Sequence, residues 1–187
     1  VARGESEKLP AFFYRLSPAS QRAYLRSDSI GKFDLAPTPQ VLRSADLLMK
    51  TLVEGRPAAI GMAARQLADE LCRLLRVPPI SIEVRGVRPH DQRGELHGIF
   101  YRTRPPRIVL WMRTAQRHQT VKPRTFIRTL FHELGHYFDY TVLRLGDSFH
   151  TRGFFQRESS LVRALLPADE AGAIRDSDQS GGDEARR

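Results

Sequence analysis

The tripeptide Val77-Pro78-Pro79 divides the chain into two kinds of hydrophobic pattern. Paired prolines lack amide donors and restrict the residue before them, so a helix ends there. Upstream, apolar residues recur with helical spacing. Val41, Ala45, Leu48 and Leu52 mark one face of a helix over 39–54, and Ala64, Leu67, Leu71, Leu74 and Leu75 stripe a second over 58–76. Ser17 followed by Pro18 signals a shorter helix start nearer the N-terminus. Downstream the period falls to two, and strands are predicted at 80–87, 94–102 and 107–113. Their short connections suggest a small, mostly antiparallel three-stranded sheet. The helical period then returns over 123–145, closed by Gly146, and over 152–166, closed by Pro167. Segregation of strands from helices makes the fold class α+β.

Of the 187 residues, 41% are hydrophobic, enough for one domain with its own core. The expected division is an N-terminal extension over 1–38, a domain over 39–167 and an acidic, Gly/Ser-rich disordered tail over 168–187. Cys72, the only cysteine, excludes an internal disulfide and flanks an apolar stripe, where it reads as a small buried residue. No apolar run approaches the ~18–20 residues of a membrane span, so no membrane partner is expected. The opening VARGESEKLP has no apolar leader region, and a bacterial cytoplasmic setting is the expectation. The net charge is +9, and 85–128 holds eleven basic residues against two acidic ones. Such a block suits nucleic acid or an acidic partner, or else serves as a solubilising face.

Within the third long helix, TLFHELGHYFDY (129–140) places His132 and His136 about 40° apart and one turn along the axis. Two imidazoles so spaced can share one Zn²⁺ at ~2.0–2.1 Å each. Glu133 lies beside them, placed to act as general base toward a zinc-activated water. Gly135 leaves room for close packing against the helix, at roughly 1 kcal/mol relative to alanine. Ile127, Leu130, Leu134 and Thr141, with Phe126, Phe131 and Phe138 nearby, form the opposite, buried side.

A catalytic zinc takes three protein ligands and keeps one position open. Asp139 extends the histidine stripe and suits a supporting role, accepting a ring N–H or fixing the following loop. His150 lies in the loop GDSFHTRG between two helices and can fold back to the site. Glu158 projects from an apolar stripe with Phe154, Leu161 and Leu165, where a carboxylate requires a metal or an arginine. Spacing alone leaves His150 and Glu158 both open as third ligand.

The motif HELGH, followed by HTRGFF opening a helix, resembles the SprT-like zinc metallopeptidases over roughly 80–166. That resemblance implies a zincin-like fold, zinc held by His132, His136 and His150, and Glu133 as base of an endopeptidase. His150 and Phe154 match the family's H-x-x-x-F context. The chain departs from many members in lacking a zinc ribbon of paired cysteines. The H-E-x-x-H-x-x-D form given by Asp139 is similar instead to Glu-liganded zinc peptidases such as the Mlc titration factor family, which keeps Glu158 as the alternative ligand.

A peptide substrate would add as a strand to 107–112 or 94–101. Tyr137, Tyr140, Arg152 and Arg157 are the candidates for contacting substrate or its oxyanion. His97 and His118 lack a spacing partner and read as ordinary strand and loop residues. Two further hypotheses stand beside a constitutive peptidase. One is a protease stimulated by nucleic acid through the basic block. The other is a non-catalytic, zinc-stabilised module that binds DNA or a regulator, against which the intact Glu133 counts.

Overall fold

The computed structural model describes residues 9–91, 94–115 and 120–166. The expected tail over 168–187 and His118 fall outside these residues. A 3₁₀ turn at Phe13–Arg15 precedes α1 (Pro18–Ser29), α2 (Pro39–Glu54) and α3 (Pro57–Leu74). The strands follow as β1 (Ser81–Val87), β2 (His90–Asp91), β3 (Gly94–Glu95), β4 (Gly98–Tyr101) and β5 (Arg107–Arg113), then α4 (Pro123–Thr141) and α5 (Arg152–Leu165). Side-chain caps start three helices: Ser17, Thr38 and Thr151 accept from the amides of Ser20, Val41 and Phe154. Proline occupies the first turn of α1 to α4, where its missing amide costs nothing.

The fold class is α+β, with five helices and a small sheet among the described residues. The sheet is mixed rather than mostly antiparallel. Its order is β1-β5-β4, with β5 parallel to β1 and antiparallel to β4. The tight β4–β5 connection reverses the chain and inserts β5 between its two neighbours, which sets it parallel to β1. The expected strand over 94–102 is divided, because β3 leaves to pair with β2 before β4 begins.

Strand β5 is buried from Ile108 to Met112. Ile108, Leu110 and Met112 join Ile82 in the main core, on the face covered by α3 and α4. Leu48, Leu52, Ile60, Leu67 and Leu71 knit α2 to α3 within the same core, each burial contributing about 1.5–3 kcal/mol. Cys72 is buried among them, and burial pushes its thiol up to about 12, which leaves it unreactive. No helix among the described residues is long and apolar enough to cross a membrane.

Two helix ends differ from expectation. Helix α3 closes ahead of the paired prolines: Arg76 takes the left-handed conformation at φ 56°, and the Val77 amide reaches back to the Cys72 carbonyl at 2.9 Å. Likewise α4 ends at Thr141, since Arg144 (φ 56°) turns the chain before Gly146 and the Leu145 amide bonds the Asp139 carbonyl at 2.9 Å.

Helix α1, from the 1–38 extension, packs directly on the loop before α5. Ser20 Oγ donates to Asp147 Oδ2 at 2.6 Å, Ser27 and Thr151 share a hydroxyl bond at 3.1 Å, and the Tyr24 and Phe149 rings lie 5.6 Å apart. The contact is closest at Gly153, where an added Cβ would sit 2.2 Å from the Ser27 carbonyl oxygen. Backbone cannot rotate aside as a side chain can. Gly153→Ala is therefore expected to destabilise the fold by about 1–3 kcal/mol, read as a lower melting temperature. Unchanged melting would mean that α1 does not press on α5 in solution.

Candidate metal centre

Three histidines converge at one point. His132 and His136 project from successive turns of α4, and His150 folds back from the loop ahead of α5. His150 Nε2 lies 3.0 Å from His132 Nε2 and 3.0 Å from His136 Nε2. The three side chains are close enough to bind one metal ion. His150 is exposed and the other two are half-buried, so the shared point opens to solvent.

The nitrogens on the far side of two rings fix which atoms face inward. His132 Nδ1 lies 3.0 Å from Glu158 Oε2, and a carboxylate there demands an N–H. His136 Nδ1 lies 2.8 Å from Ser148 Oγ. That hydroxyl gives its own hydrogen to Asp139 Oδ2 at 2.7 Å, so it accepts from His136. Each neutral ring therefore turns an Nε2 lone pair toward His150. At most one proton on His150 Nε2 can face two such acceptors, whereas a cation at the shared point satisfies all three. Burial, reinforced by His132 and His150, pushes His136 down to about 3. Packing of the His150 ring into the cluster, reinforced by His132 against the opposing pull of Glu158, pushes His150 down to about 4. Both shifts disfavour protonation of these two rings as the solution. An all-imidazole donor set suits a borderline ion such as zinc better than calcium or magnesium.

The supports behind the ligands come from three elements. Burial raises Glu158, but the His132 and Arg128 contacts outweigh it and hold the carboxyl below its ordinary range. Its second oxygen accepts from Arg128 Nε at 3.0 Å. Glu158 is thus turned to the outer nitrogen of His132, and it is His150 that joins the cluster. Asp139 supports His136 through Ser148 rather than directly. Its other oxygen accepts from Arg157 Nη2 at 2.9 Å, and Arg157 also donates to the Ser27 carbonyl (2.7 Å), Ser27 Oγ (2.9 Å) and the Ile30 carbonyl. Beneath the cluster lies Phe154, its ring centroid 4.7–5.2 Å from those of all three histidines. Gly135 admits it, since a Cβ there would stand 3.2 Å from the ring.

Glu133 is buried beside His132, and burial pushes its carboxyl up to about 7 against the opposing pull of His132 and the Phe100 amide. Strand β4 passes close by. An added Cβ at Gly98 would stand 2.7 Å from Thr129 Cγ2 and 3.0 Å from Glu133 Oε1. Gly98 therefore lets the strand lie against this carboxylate.

The other candidates lie elsewhere. Tyr137 is buried and donates to the Pro78 carbonyl at 2.7 Å, so it points into the core rather than toward substrate. Tyr140 stacks on Phe100 beneath the Arg102 guanidinium, and Arg152 reaches Asp28 Oδ2 at 3.4 Å. Arg157, considered for an oxyanion, is locked in the network just described. His97 lies between β3 and β4 rather than within a strand, and borders a cleft beside His132. Five basic side chains of 85–128 are engaged locally: Arg85 with Glu83, Arg88 with Glu95, Arg128 with Glu158, Arg102 on Tyr140 and Arg107 on Tyr101. Sequence reasoning missed Ser148, for which no pattern existed. Arg157 carried a signal, because it shares a helical face with Phe154 and Leu161, and a buried arginine needs an acid.

The low affinity of His136 for protons has a consequence in the metal-free protein. Unfolded His136 regains a pKa near 6.5, so the unfolded state binds more protons as pH falls and stability drops below that value. Between pH 7 and 5 this residue should account for about 2 kcal/mol, or roughly 4–8 °C in melting temperature. The measurement is the pH dependence of melting in wild type and His136→Asn, both stripped of metal. Equal slopes would refute the assignment.

Comparison with protein-family models, curated proteins and solved structures found no match to this chain.

Proposed function

We propose that the protein is a zinc-dependent metallopeptidase with Glu133 as general base. The observation that carries the reading is the set of three facing Nε2 atoms, 3.0 Å from His150 to each partner, with Glu133 and an edge strand alongside. It accords with the SprT-like resemblance and a zincin-like arrangement, and His132, His136 and His150 would hold the ion. Zinc, when bound, would polarise a water and the scissile carbonyl and bring that water's pKa toward ~7.

The remaining steps belong to the chain. Strand β5 is flanked on both sides. Of the two edge strands β1 and β4, it is β4 that lies against α4 and Glu133, so β4 is the one suited to pair with an extended substrate. A peptide laid along β4 would pass Gly98 and therefore Glu133. The Glu133 carboxylate takes a proton from the attacking water and returns it to the leaving amide nitrogen. Its buried position and contact with the Phe100 amide hold it oriented for that exchange. Glu158 and Ser148 fix the two α4 imidazoles with Nε2 inward, and Phe154 excludes water from beneath them.

Elemental analysis should find about one zinc per chain in wild type, none in His150→Ala, and zinc bound about 10–100-fold more weakly in Glu158→Ala. Loss only in Glu158→Ala would move that carboxylate into the ligand set. Glu133→Gln should keep zinc and lose about 10²–10⁴-fold in peptide cleavage. Undiminished cleavage in that variant would exclude Glu133 as base, whereas a wild type that binds zinc and cleaves no peptide would leave the non-catalytic zinc module as the better reading.

A further inference from the structure

A cleft of about 520 Å³ opens beside the metal centre, bordered by His132, Glu133 and Gly98 at one end and by Arg124 and Arg128 at the other. Arg124, Arg128, His132 and His136 recur every four residues and so share one face of α4. The charges around the cleft are nearly all accounted for within the protein. Glu95 accepts from Arg88 Nη1 at 3.2 Å and from the Ala115 amide at 3.0 Å. Glu158 is held by Arg128 and His132. Arg124 stands apart. Its Nε and Nη2 are shut off from solvent and make no hydrogen bond, and no carboxylate pairs with it among the described residues. Charged donors without a partner are costly to keep from water, and turning the guanidinium into the cleft would relieve that cost if an acceptor were present there.

We propose that Arg124 is the recognition group of an acidic subsite, so that the cleft selects a substrate bearing a carboxylate. This rests on the peptidase reading and adds to it a substrate class. Arg124 lies two helical turns before His132, roughly 12 Å along the axis. With a peptide rising ~3.3 Å per residue and an arginine able to reach several ångströms, the carboxylate sits roughly two to four residues from the bond cut. It comes from an aspartate or glutamate side chain or from a free C-terminus; the chemistry taken by the guanidinium is the same.

The test uses fluorescein-labelled Ala/Ser decapeptides binding to zinc-loaded Glu133→Gln, followed by anisotropy. A single Glu, Gln or Lys is walked along amidated peptides, and the Gln series is repeated with a free C-terminal carboxylate. The Glu peptides should bind about tenfold or more tightly than Gln in one register. Adding Arg124→Gln should reduce the difference to less than about twofold, and Arg124→Glu should invert it in favour of Lys, an outcome that a misfolded variant cannot give. Tight binding confined to the free-carboxylate series would assign the same subsite to a chain end. Equal binding of Glu and Gln peptides with no gain from a free carboxylate, or a Glu preference that survives Arg124→Gln, overturns the proposal. Cleavage by zinc-loaded wild type separates the two ideas. Cleavage indifferent to a carboxylate refutes the subsite alone, whereas Arg124-dependent binding without cleavage of any peptide refutes the peptidase reading alone.

Discussion

The buried ion pair of Asp139 with Arg157 is the interaction on which the geometry of the histidine cluster depends. Both side chains are essentially inaccessible, Asp139 at 0% and Arg157 at 1%. Removing such charges from water costs several kcal/mol per ion, so the pair persists only with further hydrogen bonds around it. Those bonds come from every element that must be held together. Arg157 belongs to α5 and grips the end of α1, while Asp139 belongs to α4 and takes the Ser148 hydroxyl from the loop. Ser148 in turn orients His136, and two residues later the same loop delivers His150. A chain of polar contacts thus runs from α1 to the clustered histidine nitrogens.

The site is also assembled by close approach: α5 lies against α1 at Gly153, Phe154 enters under the histidines at Gly135, and β4 lies against Glu133 of α4 at Gly98. A methyl group would collide with backbone at Gly153 and would crowd the side chains of Phe154 at Gly135 and of Thr129 and Glu133 at Gly98. The residues 1–38 are consequently tied to the candidate centre wherever they are described, through α1 and through Phe33, whose ring meets Phe138 edge-on at 5.5 Å.

Much of the arrangement was legible from local pattern. The bounds of α2 matched the spacing of its apolar residues and the Thr38-Pro39 start, and α4 carried His132 and His136 on the face opposite Leu130 and Leu134. Parallel pairing of β1 with β5 was not legible, because alternation reports which face a residue occupies and says nothing of its neighbour's direction. The choice between His150 and Glu158 was equally closed to spacing. Both reach the α4 histidines, and only the folded loop shows that one faces Nε2 and the other Nδ1.

The sequence by itself determined the elements and the two imidazoles of HELGH, since helix periodicity and a four-residue spacing are properties of a single segment. The tertiary structure alone decided which third residue joins them, which strand lies at the sheet edge beside Glu133, and that Asp139 is paired with Arg157. Those outcomes depend on contacts between segments far apart in the chain, and such contacts are set by packing and by the need to pair buried charge, neither of which a local pattern records.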